Sequence, residues 1–374
     1  MQTTNNKFKA VKLAVAALIG GASAIVAMPA MADTNVTVSG LVDTYVGSQK
    51  YSGDSAASSI VGAGGMTTSW WGFSGTEDLG DGLQANFKLT SFFRSNNGAI
   101  GRFDGNETMF SRDAHVGLSG AFGAISVGRD LAPNFLPSIL FNPFGDSFQF
   151  SPLIMHMDVP VFNASNWANT TAGDTGWSNE LMYTTPDFSG LKANLHYQFG
   201  GIAGQTGKNN IGANVLYFHG PLALTAFYQR VDINNPLPGE VGNVQQATDG
   251  EGPFAPSQKA WFVGGSYDLN FAKLFATYQQ TTNDGIDWKD KTLQLGTSIP
   301  FGHGAILASW AGTKRTGTDI SAPLGESSIK RNTATVGYDY NLSKRTDVYA
   351  NYMYDKITDE NSGGSVGVGI RHRF

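Results

Sequence analysis

Residues 75–94 read GTEDLGDGLQANFKLTSFFR. After Gly80 and Gly82, which supply the positive φ of a tight turn, Leu83, Ala85, Phe87, Leu89 and Phe93 fall on one face and Gln84, Asn86, Lys88, Thr90 and Arg94 on the other. A period of two is that of a β-strand. One face suits lipid and the other water. Residues 191–199 repeat the pattern: Leu191, Ala193, Leu195, Tyr197 and Phe199 alternate with Lys192, Asn194, His196 and Gln198.

From Asn35 onward the same period recurs in sixteen segments, separated alternately by short turns and by long polar, Gly-rich stretches. This repeating signal is that of a transmembrane β-barrel. The strands expected are 36–46, 67–76, 83–94, 110–119, 123–129, 180–185, 191–199, 211–218, 222–231, 259–269, 273–281, 288–299, 305–314, 331–340, 345–354 and 366–374. The short turns face the periplasm. The long segments Gly47–Met66, Asp232–Ser257 and Arg315–Ser328 face outside.

Residues 1–32 have the order of a secretory signal. Lys7, Lys9 and Lys12 precede the apolar run Leu13–Met28, and Ala30-Met31-Ala32 offers the cleavage site, leaving 33–374 as the barrel. Without those three lysines the chain carries 22 basic against 30 acidic residues, a balance that argues against nucleic acid as a partner. No cysteine is present, which removes disulfides and thiolate metal sites, and no later segment is apolar enough for a spanning helix.

Asp130–Ser178 breaks the alternation. It holds five of the fourteen prolines, and Phe135, Leu136, Ile139, Leu140, Phe141, Phe144, Phe148 and Phe150 need a surface to pack against. So long and apolar a connection is expected to be functional. At the other end of the chain Val366, Val368, Ile370, His372 and Phe374 share one face, and the last residue is aromatic. Tyr338, Tyr340, Tyr349, Tyr352 and Tyr354 lie near strand ends, where an interfacial girdle and ordinary strand propensity explain them equally well.

The motifs VTVSGLVDTYV from Val36, GTEDLGDGLQANF from Gly75, SRDAHVGLSGAFGAISVGRD from Ser111, YTTPDFSGLKANLHYQF from Tyr183, GYDYNLSKRTDVYANY from Gly337 and the terminal GVGIRHRF occur in this order. Together they resemble a Gram-negative general porin of the β-proteobacterial type. The resemblance implies an all-β fold, a 16-stranded antiparallel transmembrane barrel whose third external loop, here 130–178, folds inward. It also implies a homotrimer in the outer membrane, in contact with lipid and lipopolysaccharide, with Phe374 read by the barrel-assembly machinery. The function implied is passive diffusion of small hydrophilic solutes and ions through an eyelet of basic wall residues facing acidic loop groups.

On that resemblance Arg112 is a wall cation, Arg129 leads into the loop, and Asp146 of NPFGD brings a carboxylate to the gap. Trp70 and Ser74 stand where relatives carry positive residues, so a less anion-selective eyelet is expected. Lys88 and Arg94 are expected to line the pore, with Lys192 a weaker case. Alternation carries Arg112 outward with Val116 and Leu118; the resemblance turns it inward and leaves Asp113 and His115 outward, and the expectation follows the resemblance. Two other readings are carried: a porin preferring organic or aromatic acids, motivated by Trp70 and the Phe-rich loop, and a non-conducting structural or adhesive barrel.

Catalysis is not expected. His115, His156, His196, His219, His303 and His372 are scattered over strands, turns and loops, and none sits in a nucleophile motif. No cofactor motif is found. Met155-His156-Met157-Asp158 reads as loop packing rather than a copper site, and TNDGIDWKDK at 282–291 as a solvated external loop rather than a calcium loop.

Overall fold

The computed structural model describes residues 35–102, 107–159, 167, 169–201, 209–233, 257–318 and 328–374. The expected signal segment, most of the external segment 232–257 and part of the long loop lie outside them. The strands are β1 (Asn35–Gln49), β2 (Ser58–Ala63), β3 (Trp70–Gly80), β4 (Leu83–Phe92), β5 (Asp113–Gly120), β6 (Gly123–Leu131), β7 (Gly176–Thr184), β8 (Leu191–Phe199), β9 (Asn209–His219), β10 (Leu222–Val231), β11 (Ser257–Asp268), β12 (Lys273–Asp284), β13 (Lys289–Phe301), β14 (Gly304–Thr316), β15 (Ser328–Asn341), β16 (Thr346–Ile357) and β17 (Gly363–Arg373). Two short helices, α1 (Phe135–Leu140) and α2 (Pro152–Met157), lie in the long loop.

From β3 on, each strand pairs antiparallel with the next, and β1 closes the cylinder against β17 in the register Leu41↔Arg373 to Ser48↔Val366. Beyond that register Gly40 and Phe374 exchange both backbone hydrogen bonds, at 3.1 and 3.0 Å. A Cβ on Gly40 would stand 2.5 Å from the Phe374 ring and 2.7 Å from the Trp70 carbonyl oxygen, so the seam requires glycine there. The turn between β3 and β4 has positive φ at Gly80, Asp81 and Gly82, as the sequence requires.

Seventeen strands make sixteen staves because β2 and β3 share one. β1 pairs with β3 over Asn35–Leu41 and with β2 over Thr44–Gln49. Sequence reading expected one strand over 67–76 and an external loop over 47–66; the stave in fact begins at Ser58 and is interrupted by Gly64–Ser69. The cause is Asp43, which is fully buried on the inner face of β1. The backbone N–H groups of Gly65, Met66 and Thr67 donate to its carboxylate at 3.1, 2.8 and 2.8 Å, a concave nest of amides around one anion.

Burial inverts the soluble pattern. Val116, Val127, Leu195, Phe199, Val368 and Ile370 are exposed, while Asn194, Gln198, Gln279, Gln294, Thr313, Thr333 and Asn351 are buried. An apolar outer band and a polar interior are what a bilayer demands of a barrel. Tyr352 and Tyr354 face outward, but Tyr349 is buried at 3% exposure and donates to Asp43 at 2.5 Å, so it is no part of a girdle.

The inner wall of β13–β16 carries ion pairs shielded from water. Arg331 pairs with Asp355 at 2.9 Å and Arg315 with Asp290 at 2.7 Å, all four side chains being at most 1% exposed. The Arg315 guanidinium is stacked 4.4 Å from the Trp167 ring and 4.3 Å from Trp288. Trp288 and Asp290 are therefore wall residues, and the expectation of a wholly solvated loop at 282–291 is corrected. Arg331→Met strands Asp355 without its cation and is expected to lower barrel stability by about 3–5 kcal/mol. Lys259→Met, which breaks the half-exposed pair with Asp284, should cost at most about 1 kcal/mol. Denaturant unfolding of the detergent-solubilised protein followed by far-UV circular dichroism checks the contrast.

Candidate pore constriction

The long loop enters the cylinder and docks on its wall. Helix α2 starts where Ser151 caps it, its Oγ accepting from the Ile154 N–H at 3.5 Å, and where Pro152 occupies a first-turn position that needs no N–H. Phe144, Phe148, Phe150, Ile154 and Met155 form one buried cluster with Tyr45, Met66, Leu307, Tyr349 and Met353 of the wall. Leu153 and Met157 pack on Phe227, Ala260 and Phe262, and Phe141 on Leu216 and Ala223. Of the eight apolar loop residues that called for a surface, Leu140 alone stays exposed, at 41%.

A polar pin fixes the same helix. His156 is fully buried, with Nδ1 2.7 Å from Thr313 Oγ1 and Nε2 2.8 Å from Thr333 Oγ1. The Thr333 hydroxyl proton is committed to Asp355 at 2.6 Å, so His156 must donate from Nε2 and accept at Nδ1. The ring is thus the neutral Nε2–H tautomer. Burial, and then the charge of Arg331, hold its pKa well below the ordinary histidine range. Arg331 also donates to the Met155 carbonyl at 2.9 Å. Met155, His156 and Met157 are packing residues of a docked loop.

Loop tip and wall meet at a charged cluster. Asn142 holds the NPFGD turn: its Nδ2 donates to the Ser138 and Gly145 carbonyls and its Oδ1 accepts from the Phe144 N–H, all within 2.9 Å, with φ +55° at Gly145. Asp146 follows. Burial pushes its carboxyl up, against a hydrogen bond from Thr67 and the charges of Arg112 and Arg371. Arg371 donates to Thr67 Oγ1 at 2.8 Å and to Asp347 and Asp339. Arg371 escaped the sequence reading, although the outward face assigned to Val366, Val368 and Ile370 leaves Arg371 and Arg373 inward.

On β3, Trp70 pairs with Leu41 and Phe92, and Ser74 with Lys88, all on the inner face. The Arg112 guanidinium lies 4.2 Å from the Trp70 ring centre and donates to Asp113 Oδ2 at 2.7 Å. Lys88 Nζ reaches the same oxygen at 3.0 Å. Two half-exposed cations therefore share one fully buried anion, and Trp70 serves as the platform for the guanidinium.

Asp113 and His115 face inward, contrary to expectation, because β4 pairs Thr90 with Asp113 and Lys88 with His115 on the inner face. Arg112 precedes the first paired residue of β5, so strand parity does not bind its side chain. Arg129 lies away from this group. It donates to the carbonyls of Ser111 and Gly176 and to Ser178 Oγ, and pairs with Asp174, tying both ends of the long loop beside the register shift between Gly128 and Asp130. Arg94 sits in the turn after β4, its N–H bonded to the Ala99 carbonyl at 2.8 Å. Lys192 is exposed and 3.8 Å from Asp187.

A closed barrel with an apolar outer band, a polar interior and an inserted loop defines a transmembrane channel protein. The sequence matches the profile of the Gram-negative porins over residues 14–360, and the chain belongs to that family. It is 31% identical to an outer membrane porin protein of Bordetella pertussis over 97% of this chain and 99% of that one. Outer membrane porin protein 32 of Delftia acidovorans is 32% identical over 92% and 95%. The solved anion-selective porin of Comamonas acidovorans superposes with a TM-score of 0.73 at 28% identity, covering 91% of this chain and all of that one. The protein is an outer-membrane porin, a passive diffusion channel; family and fold are those of a channel rather than an enzyme.

One carboxyl of the docked loop makes its pH dependence testable. Burial pushes Asp158 up to about 8 from 3.8, with Asp174 adding to the shift and Asn134 opposing it. Between those values the unfolded chain has lost a proton that the folded one keeps, so the group's contribution falls as pH rises through the window and is flat above it. Asp158→Asn should raise the thermal midpoint of the solubilised barrel more at pH 9 than at pH 5, as read by circular dichroism.

Proposed function

We propose that small hydrophilic solutes and ions pass through each barrel at a constriction made by Arg112, Lys88, Trp70, Ser74 and Asp146, and that its anion preference is weak. The observation that carries this reading is the shared carboxylate. Asp113 Oδ2 takes both Lys88 and Arg112, so one of the two positive charges at the wall is offset a few ångströms behind it. The relative from Comamonas is anion-selective by name; in this chain the wall arginine lies against an indole. Arg129 is structural in this reading.

The functional unit is a homotrimer in contact with outer-membrane lipid and lipopolysaccharide. The exposed valines and leucines of β1, β5 and β6 supply an outer surface suited to self-association, and Phe374, 48% exposed at the barrel seam, is the residue the assembly machinery reads.

Purified protein in planar bilayers is expected to conduct ohmically; an absence of conductance would favour the structural or adhesive barrel. In a salt gradient, Arg112→Ala should move the reversal potential toward cations and Asp113→Asn toward anions. Unchanged potentials in both variants would place the selective step elsewhere. The Arg112–Trp70 stack also favours a second reading, a preference for aromatic acids, whose carboxylate and ring match the two groups; benzoate should then block the current saturably, and Trp70→Ala should relieve the block.

A further inference from the structure

The wall behind the constriction holds a group that ion passage does not require. Asp113 and His115 stand two residues apart on the inner face of β5, and Asp130 lies beside them on β6, where the register shifts between Gly128 and Asp130. One ligand atom from each lies within 4.8 Å of the other two. His115 Nδ1 is 3.1 Å from Asp130 Oδ2 and 3.4 Å from the Arg129 carbonyl. Asp130 also accepts from Ser126 Oγ at Oδ2 and from the Leu131 N–H at Oδ1, both at 2.8 Å.

Asp113 is the telling residue. Thr90, Lys88 and Arg112 all approach Oδ2, while Oδ1 of this fully buried carboxylate has no hydrogen-bond partner. Thr90 and Lys88 come from β4, on one side of β5, and Asp130 lies on the other. The unpartnered oxygen is left for the side of His115 and Asp130. One strand further, Glu180 of β7 is also buried, with Oε2 unpartnered. A buried acceptor left unpaired is costly, and a cation among these groups removes that cost.

We infer that Asp113, His115 and Asp130 form a binding site for a first-row divalent cation of the Zn²⁺ or Ni²⁺ kind. One imidazole nitrogen and two carboxylate oxygens are the donor set for such an ion, with water completing its shell. An ion held through imidazole discriminates against Ca²⁺ and Mg²⁺, which take oxygen ligands only. Lys88 and Arg112 oppose it through Asp113, so the affinity is moderate and the site loads reversibly. The bound ion competes with Arg112 and Lys88 for Asp113 and raises the positive charge of the pore wall, so loading shifts the channel toward anions.

The test uses full-length protein in detergent, stripped with EDTA and titrated calorimetrically with ZnCl₂, then with CaCl₂. Saturable binding of one Zn²⁺ per chain is expected, with none for Ca²⁺. His115→Ala and Asp130→Asn should each weaken it by about tenfold or more, in protein whose heat-modifiable migration on gels confirms a folded barrel. In bilayers Zn²⁺ should move the reversal potential toward anions, and EDTA should restore it. Absence of saturable binding overturns the inference, as does binding that survives His115→Ala, which would belong to another histidine. Should a variant fail to fold, Zn²⁺-dependent shifts of the His115 imidazole resonances in the unaltered protein decide the question, and unshifted resonances refute the site.

Discussion

A bilayer core offers no hydrogen-bond partner to a peptide group, so a chain that crosses it as strands has to bond every strand on both edges. In this protein that demand is met at the β1–β17 seam, and much of the rest follows from it. Closure makes one face of every strand an exterior and the other an interior, which is why valines lie exposed and glutamines buried. It also explains Gly40, whose missing side chain lets the Phe374 ring sit against the last pair of backbone hydrogen bonds.

Closure leaves an interior too polar to collapse and too wide to fill with wall side chains alone. The long loop fills part of it with a mixed contact. Phenylalanines and methionines cover the wall's few apolar patches, and His156, Arg331 and Arg315 bond the loop to the polar remainder. Each of these polar groups is fully buried, so each is costly to break, and the loop is held in one place without a disulfide. On the wall, Arg112 and Lys88 share the buried carboxylate of Asp113.

The strand count and the division of each strand into a lipid and a lumenal face were legible from alternation, because a strand's geometry writes its two faces into the sequence at a period of two. The same rule put Val116 and Leu118 outward and would have put Asp113 and His115 inward. The resemblance to relatives displaces Asp113 and His115 outward, whereas their pairing with Thr90 and Lys88 turns both inward. Parity failed for Arg112 because that residue lies one position outside the paired ladder.

By itself, then, the sequence determined the barrel, its lipid face and the presence of one long apolar loop, since all of these are local or periodic properties. Only the tertiary structure decided what the loop touches, that the second stave is broken to wrap Asp43, that Arg129 is a tether, and that two cations share one carboxylate. Those are contacts between residues distant in the chain, set by strand register and by the need to satisfy buried charge, and no local pattern encodes them.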